Sequence, residues 1–360
     1  MRRTLVALVV VLVAGPALAA GGATAGSVDT ESSASVAAGG DQVFAAQQTG
    51  GCEYPTEVTD ATGETVTIEE PDEVVVTAQN VAQHVWDLGA EENVVGMPHA
   101  NTGYLPNNTE PTDVGAFELK IETIVGLEPD LVLAPNATFK EDIQSLRDAG
   151  LTVYHYRKAT DLSSVTQRVE RTGQLVGACE AADNLTAEMQ SQIESIEQAV
   201  SDVDRPKLYY SLGSRYTAAA GTVEHDIITT AGATNIAADV GQRDYPQINA
   251  EVVTAEDPEW IIVPTGRNLS TAAQGTTAAQ EDQIIRVEPH LLSQHGPRNV
   301  DALEQIAGQL HPDAVAGAQN DTANNTTDGN ESSDGSGPGL TVVAAALALG
   351  ALVVVARYRQ

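Results

Sequence analysis

Short apolar strands and capped helices alternate along residues 73–156, stop, and alternate again from 207 to 309. Glu73–Ala78 (EVVVTA), Asn93–Met97 (NVVGM), Asp130–Pro135 (DLVLAP) and Leu151–Tyr156 (LTVYHY) read as strands. Between them Asn80–Ala90, Leu119–Glu128 and Lys140–Gly150 read as helices, the first capped by Asn80, the others stopped by Pro129 and Gly150. The second series runs KLYYSL, EHDIITTAGA, NAEVVTAE, EWIIVP and DQIIRVEP, and closes with a helix at Val300–Gln309. Near-continuous apolar strands separated by helices build parallel α/β sheets, so the fold class is α/β. Some 260 residues of this kind are enough for two lobes.

The interval Asp161–Val203 carries no readable strand. Leu185, Met189, Ile193, Ile196, Val200 and Val203 fall at steps of three and four, one face of a long helix, with a break expected near Gly177. The expected order is an N-terminal lobe (52–160), a linking helix (161–203) and a C-terminal lobe (204–315). Ahead of the first lobe's sheet, Glu57–Glu70 alternates in hydropathy around Asp-Ala-Thr-Gly, which reads as a β-hairpin.

One phrase occurs in both lobes. IETIVGLEPDLVLAP (Ile121–Pro135) and AEVVTAEDPEWIIVP (Ala250–Pro264) align without a gap. Each has Glu at its second place, Pro at its ninth, an acid at its tenth and Pro at its end. A helix stopped by proline and followed by a strand explains most of this. It gives no reason for Glu122 and Glu251 to share one helical position.

The first 20 residues read as an export signal: Arg2 and Arg3, an apolar run at Leu5–Val13 and a small-residue site at Ala17–Ala20. The arginine pair fits either the general or the twin-arginine route. Residues 21–51 read as a linker. At the other end, Ala316–Gly339 is rich in Asn, Thr, Gly, Asp and Ser and reads as a flexible tether. Leu340–Ala356 is uncharged and long enough to anchor the chain, with Arg357 and Arg359 on the cytoplasmic side. Together with "PGL" at Pro338–Leu340, this tail resembles the C-terminal sorting signals of haloarchaeal surface proteins, with Leu340 in place of Phe. Sequons at Asn107, Asn136, Asn184, Asn268, Asn320, Asn324, Asn325 and Asn330 suit a glycosylated surface protein.

Two cysteines, Cys52 and Cys179, form an even pair in an exported chain and point to a disulfide. The net charge is −32, which argues against nucleic acid as a partner, since a phosphate-binding face needs a basic patch. Acids spread along the whole chain, with few lysines, read as a surface built for molar salt, where self-repulsion is screened.

The hairpin VTDATGETVTI, the stretch VVVTAQNVAQHVWDLGAEENVVG, the phrase around Glu122 and YPQINAEVVTAEDPEWIIVP resemble the substrate-binding proteins that feed vitamin B12 and ferric siderophores to ABC importers. The resemblance covers Glu57–Pro312 and is nearest to the corrinoid binders. It implies the class III binding-protein fold: two Rossmann-like lobes, a long rigid linking helix and a ligand cleft between. It implies that Glu122 and Glu251 dock one on each half of a twofold permease, itself served by ATPase subunits. It implies ligand contacts in the loops after the strands: Tyr104 in "GYLP" and Tyr245 in "DYPQ", where the corrinoid binder has a Trp. Ala116 stands where the first lobe has another Trp, leaving Phe117 beside it as the aromatic candidate. Tyr216 follows the KLYYSL strand and is a further candidate. A corrinoid suits aromatic and polar walls. Arg215, Arg243 and Arg267 in the same class of loops keep a ferric siderophore or haem as the alternative.

A Zn or Mn carrier would need converging histidines, and the seven present form no H-x-H or H-x₃-H pattern, although His99 and His155 follow strands. The chain has no G-x-S-x-G, H-E-x-x-H, Gly-rich phosphate loop or C-x-x-C, so it reads as a carrier without a cofactor and not as an enzyme.

Overall fold

The computed structural model describes residues 52–99, 103, 105–106 and 109–317. The expected export signal, linker and anchor, Tyr104, and the tether beyond residue 317 lie outside these. Among the described residues no helix is long and apolar enough to cross a membrane.

The chain opens with an antiparallel hairpin of β1 (Thr56–Thr59) and β2 (Thr65–Ile68). Its turn is the Asp60–Gly63 segment read from the sequence, with Gly63 at φ 85°. Asp60 is fully buried there and accepts hydrogen bonds from Thr62 N, Thr62 Oγ1 and Arg147 Nη2 at 2.7, 2.7 and 2.6 Å. Burial alone would raise its pKa, but the bonds from Thr62 and Arg147 outweigh it and hold the carboxyl below its usual range. The turn is thereby fastened to lobe 1.

Lobe 1 follows as β3 (Val74–Val76), α1 (Gln79–Asp87), β4 (Val94–Met97), β5 (Thr112–Asp113), α2 (Ile121–Gly126), β6 (Leu131–Ala134), α3 (Lys140–Asp148) and β7 (Val153–His155). Its five strands are all parallel in the order β5-β4-β3-β6-β7. Both faces are buried: Val74, Val76, Leu131 and Leu133 enter one core, Val75, Val132 and Ala134 the other. That two-sided burial is why these strands read as unbroken apolar runs. Asn80 is not the cap of α1. The extended residue at the cap is Ala78, which makes no side-chain bond, and the helix has already begun at Gln79.

The linking segment is a pair of helices, α4 (Leu162–Val176) and α5 (Cys179–Ala199). Asp161 starts α4 with a reciprocal capping box to Ser164. Gly177 ends it in the left-handed conformation at φ 78°, the break expected from the sequence. The two helices then lie side by side. A Cβ at Gly173 would fall 2.3 Å from the Ala182 Cβ, so only glycine lets them approach this closely. The long helix α5 lays the predicted face, Met189, Ile196 and Val200 among it, into the core of lobe 2, and α4 folds back on it with Leu162, Val165 and Val169 in the same cluster. Cys52 and Cys179 form a disulfide, S–S 2.01 Å, which joins the start of the globule to the first turn of α5.

Lobe 2 comprises β8 (Lys207–Tyr210), α6 (Val223–Thr230), β9 (Thr234–Asn235), α7 (Ile236–Asp239), α8 (Ala250–Glu256), β10 (Trp260–Pro264), α9 (Thr277–Gln280), β11 (Ile284–Val287), α10 (Pro289–Ser293) and α11 (Asn299–Leu310). Its parallel sheet runs β11-β10-β8-β9.

The echoed phrase occupies equivalent places, α2–β6 and α8–β10. Ile124 and Val253 are buried at its fourth place, and Pro129 and Pro258 at its ninth. Glu128 and Asp257 at the eighth both take positive φ, 51° and 43°. The acid at the tenth place does the same work twice. Asp130 N–H donates to Glu73 O and its carboxylate accepts from Glu73 N, 2.9 Å each. Glu259 N–H donates to Lys207 O at 2.9 Å and its carboxylate accepts from Lys207 N at 3.1 Å. Each lobe thus clips its echoed strand to the strand it pairs with.

Candidate functional site

In lobe 2 the loop after β8 and the segment before α8 are stitched together. Tyr216 N–H donates to Gly213 O at 2.9 Å across a tight turn whose central residues, Ser214 and Arg215, both have positive φ, 48° and 68°. This is the type I′ pattern, uncommon without glycine or asparagine at its centre. Thr217 N–H then donates to Pro246 O, Ile248 N–H to Arg215 O and Asp244 N–H to Ala220 O. Asp244 is itself at φ 57°. Left-handed non-glycine residues in one pair of loops mark a backbone held in place by its surroundings, as binding loops are.

These loops bring together four of the predicted residues: Tyr216, Tyr245, Arg243 and, beside them, Arg215. The ring of Tyr216 is 44% exposed and that of Tyr245 is 37% exposed. The Tyr245 hydroxyl is occupied: it donates to Glu224 Oε2 at 2.8 Å and lies 3.5 Å from His295 Nε2. Glu224 is 3% exposed, and its other oxygen lies 3.4 Å from the same His295 nitrogen. Burial, and then the Glu224 carboxylate, push the Tyr245 phenol far above its ordinary range. Tyr245 is therefore a neutral ring on a fixed stalk, offering a face and not a titrating hydroxyl. The Arg243 guanidinium lies beside Gly221, whose φ of 85° favours glycine.

Among the described residues, polar contacts join lobe 1 to lobe 2 near these loops. Lys158, after β7, pairs with Asp244. Asp87 of α1 pairs with Arg298 at 3.0 Å. His84 of α1 donates from Nε2 to the carbonyl of His295 at 3.0 Å. His84 is fully buried, and burial together with the nearby Arg168 charge holds its pKa down to about 3. The loop after β7 thus reaches the Tyr245 loop, while α1 contacts the segment between α10 and α11.

Phe117 stands 89% exposed on a tight loop between β5 and α2. Asp113 ties that loop together, accepting from Lys120 Nζ at 2.7 Å and from the N–H groups of His99 and Gly115 at 3.2 Å. The Lys120 bond is the main reason its carboxyl is lowered to about 2. Gly115 is required: a Cβ there would sit 2.2 Å from Glu118 O. Phe139, 64% exposed in the loop after β6, was missed by sequence reasoning, although it meets the same post-strand criterion as the tyrosines. A cavity of about 680 Å³ lies in lobe 1 between Trp86, Met97, His99, Leu105 and Pro106. His99 Nε2 donates to Pro111 O at 2.8 Å, and His155 is buried at the end of β7. Among the described residues no three His, Cys, Asp or Glu side chains converge as a metal site.

Glu122 and Glu251 are exposed in the first turns of α2 and α8. Neither carboxylate forms a salt bridge among the described residues.

Residues 74–291 match the model of a family described as periplasmic binding protein. A cobalamin-binding protein of Halobacterium salinarum is 33% identical over 330 residues, spanning 85% of this chain and 89% of that one. Among solved structures, the periplasmic vitamin B12 binding protein BtuF of Vibrio cholerae superposes with a TM-score of 0.58 at 21% identity, over 69% of this chain and 98% of that one. The periplasmic heme-binding protein RhuT of Roseiflexus sp. RS-1 gives 0.58 at 23% identity, over 68% and 99%. Both likenesses concern the fold: two parallel α/β sheets in one chain.

Proposed function

The chain belongs to the periplasmic binding protein family, and from that membership we propose that it is the extracytoplasmic solute-binding component of an ABC importer, with a corrinoid as its ligand. The observation that carries the corrinoid is the 33% identity, over most of both chains, with a protein described as cobalamin-binding. The geometry supports it. Two tyrosine rings on a stitched double loop, one with its hydroxyl already satisfied, form the kind of wall that packs on a large amide-rich ring. Lobes of residues 52–160 and 204–315, joined by 161–203, hold the ligand between them, with Tyr104 and Phe117 contributed by the first. The favoured setting is the outer face of the cell membrane, with Leu340–Ala356 as anchor.

The ligand test is calorimetry or absorbance titration in molar KCl with cobalamin, cobinamide and a panel of ferric siderophores. Corrinoids bind at micromolar concentration or below, and Tyr245→Ala weakens them about tenfold, the order expected for losing one stacked aromatic contact. No corrinoid binding in that range removes the reading. Arg215, Arg243 and Arg267 favour a ferric siderophore or haem as the second reading, since arginines hold anionic chelates. Binding from the siderophore panel alone decides for it.

Glu122 and Glu251 serve as the two permease contacts. A twofold permease presents two equivalent sites, and a single chain meets both only by carrying the same acid on each lobe. Such pairs set register more than affinity. Reversing both charges, Glu122→Arg with Glu251→Arg, abolishes uptake while leaving ligand affinity within about twofold. Loss of ligand binding in that variant contradicts a docking role.

A further inference from the structure

Four of the chain's 18 basic residues, Arg157, Lys158, Arg168 and Arg171, line one pocket of about 350 Å³ where β7 runs into α4. In a chain of net charge −32 such a gathering of cations is unexpected. Lys158 pairs with Asp244, but Arg157, Arg168 and Arg171 have no carboxylate within 4.0 Å among the described residues.

Arg168 forms the floor. It is only 5% exposed, lies over the Tyr156 ring at 5.6 Å and donates from Nη2 to the carbonyl of Arg157. Its Nη1 is buried and has no acceptor. A buried donor without a partner is costly, and a buried guanidinium beside further cations more so. An anion in the pocket would relieve both penalties at once. Tyr154 and Tyr156, edge to face with ring centres 4.9 Å apart and 6% and 2% exposed, border the pocket from the core side and give it an apolar edge.

We infer that this pocket binds a phosphorylated small molecule, its phosphate against Arg168, Arg171 and Arg157 and its organic body against Tyr154 and Tyr156. A phosphate matches the cluster better than a single carboxylate, because it brings up to two charges and three acceptor oxygens to several guanidinium forks. The volume lies at the small end of ligand pockets, larger than a bare ion needs. At its floor, where Arg168 is buried, the charge is screened by salt less than on the surface. Nothing in the corrinoid reading calls for it, and its test uses no corrinoid.

The experiment is calorimetric titration of the purified full chain, in molar KCl, with phenyl phosphate, inorganic phosphate and benzoate. Phenyl phosphate binds most tightly, inorganic phosphate at least fivefold more weakly and benzoate not measurably. Arg171→Gln and Arg157→Gln, at the more accessible edge, each weaken phenyl phosphate tenfold or more, whereas Lys140→Gln, outside the pocket, leaves it unchanged. Arg168→Met abolishes binding, and the two edge variants decide the matter if that protein does not fold. Absence of phosphate binding overturns the site, as does phenyl phosphate binding that survives Arg171→Gln and Arg157→Gln undiminished. Equal affinity for inorganic and phenyl phosphate overturns the organic body and leaves a site for free phosphate.

Discussion

His84 shows how one buried residue sets the response to acid. Held neutral inside α1, it donates to His295 and has a pKa near 3, against about 6.5 when unfolded. Well above pH 6.5 both states are neutral and its contribution is complete. As pH falls from there towards 3, the unfolded chain takes up a proton that the folded one refuses, so stability declines. By pH 5 this residue's share of the loss is about 2 kcal/mol. Denaturant melts at pH 7 and pH 5 in the same salt check it: the wild type loses about 2 kcal/mol more than His84→Gln does. Equal losses in the two proteins locate the acid sensitivity elsewhere. At this scale the sequence spoke unevenly. The loop positions of Tyr216, Tyr245 and Arg243 were legible because each follows a strand or precedes a helix that periodicity reveals. The Glu224–Tyr245–His295 triangle was not, because its members lie 21 to 71 positions apart and nothing local marks them.

Secondary elements were most readable where local chemistry and packing agree. The Asp-Ala-Thr-Gly turn, the proline stops before β6 and β10 and the glycine end of α4 are all statements about φ, and backbone geometry carries them without help. Strands of two residues, β5 and β9, have too few side chains to show a period and exist because a neighbour pairs with them. The return of α4 along α5 is likewise tertiary: the sequence supplies Gly177 to turn the chain and Gly173 to let the helices touch, but neither states the direction taken. Gly173→Val places branched carbon against Ala182 and the Ala178 carbonyl, 2.3 and 2.9 Å from the new Cβ position. It should destabilise the protein by about 1–3 kcal/mol, the usual cost of overpacking. Gly308→Ala, in the helix α11 with open space at its Cβ, should be neutral or mildly stabilising. A pair of denaturation curves separates the two.

The whole molecule is governed by charge and by the way its halves are joined. With 50 acidic against 18 basic residues, its folded form concentrates repulsion that the extended chain spreads out. Lowering KCl from molar to about 0.1 M lengthens the Debye distance from about 3 to 10 Å. The melting temperature should fall by several degrees or more, and an unchanged melt would show that the acids are not felt collectively. Asp130 and Glu259 tie the echoed strand of each lobe to its neighbour, and Lys158–Asp244, Asp87–Arg298 and His84–His295 are contacts between the lobes. The last of these has a second end. His295 grips His84 with its backbone and steadies the Glu224–Tyr245 pair with its ring, so one residue is both hinge pin and bracket for the exposed aromatic. The residue that α1 holds by its backbone is thus the one whose ring touches the Tyr245 hydroxyl and Glu224. In an importer of the proposed kind, a tug that opened the cleft at α1 would be felt first at the grip on the cargo.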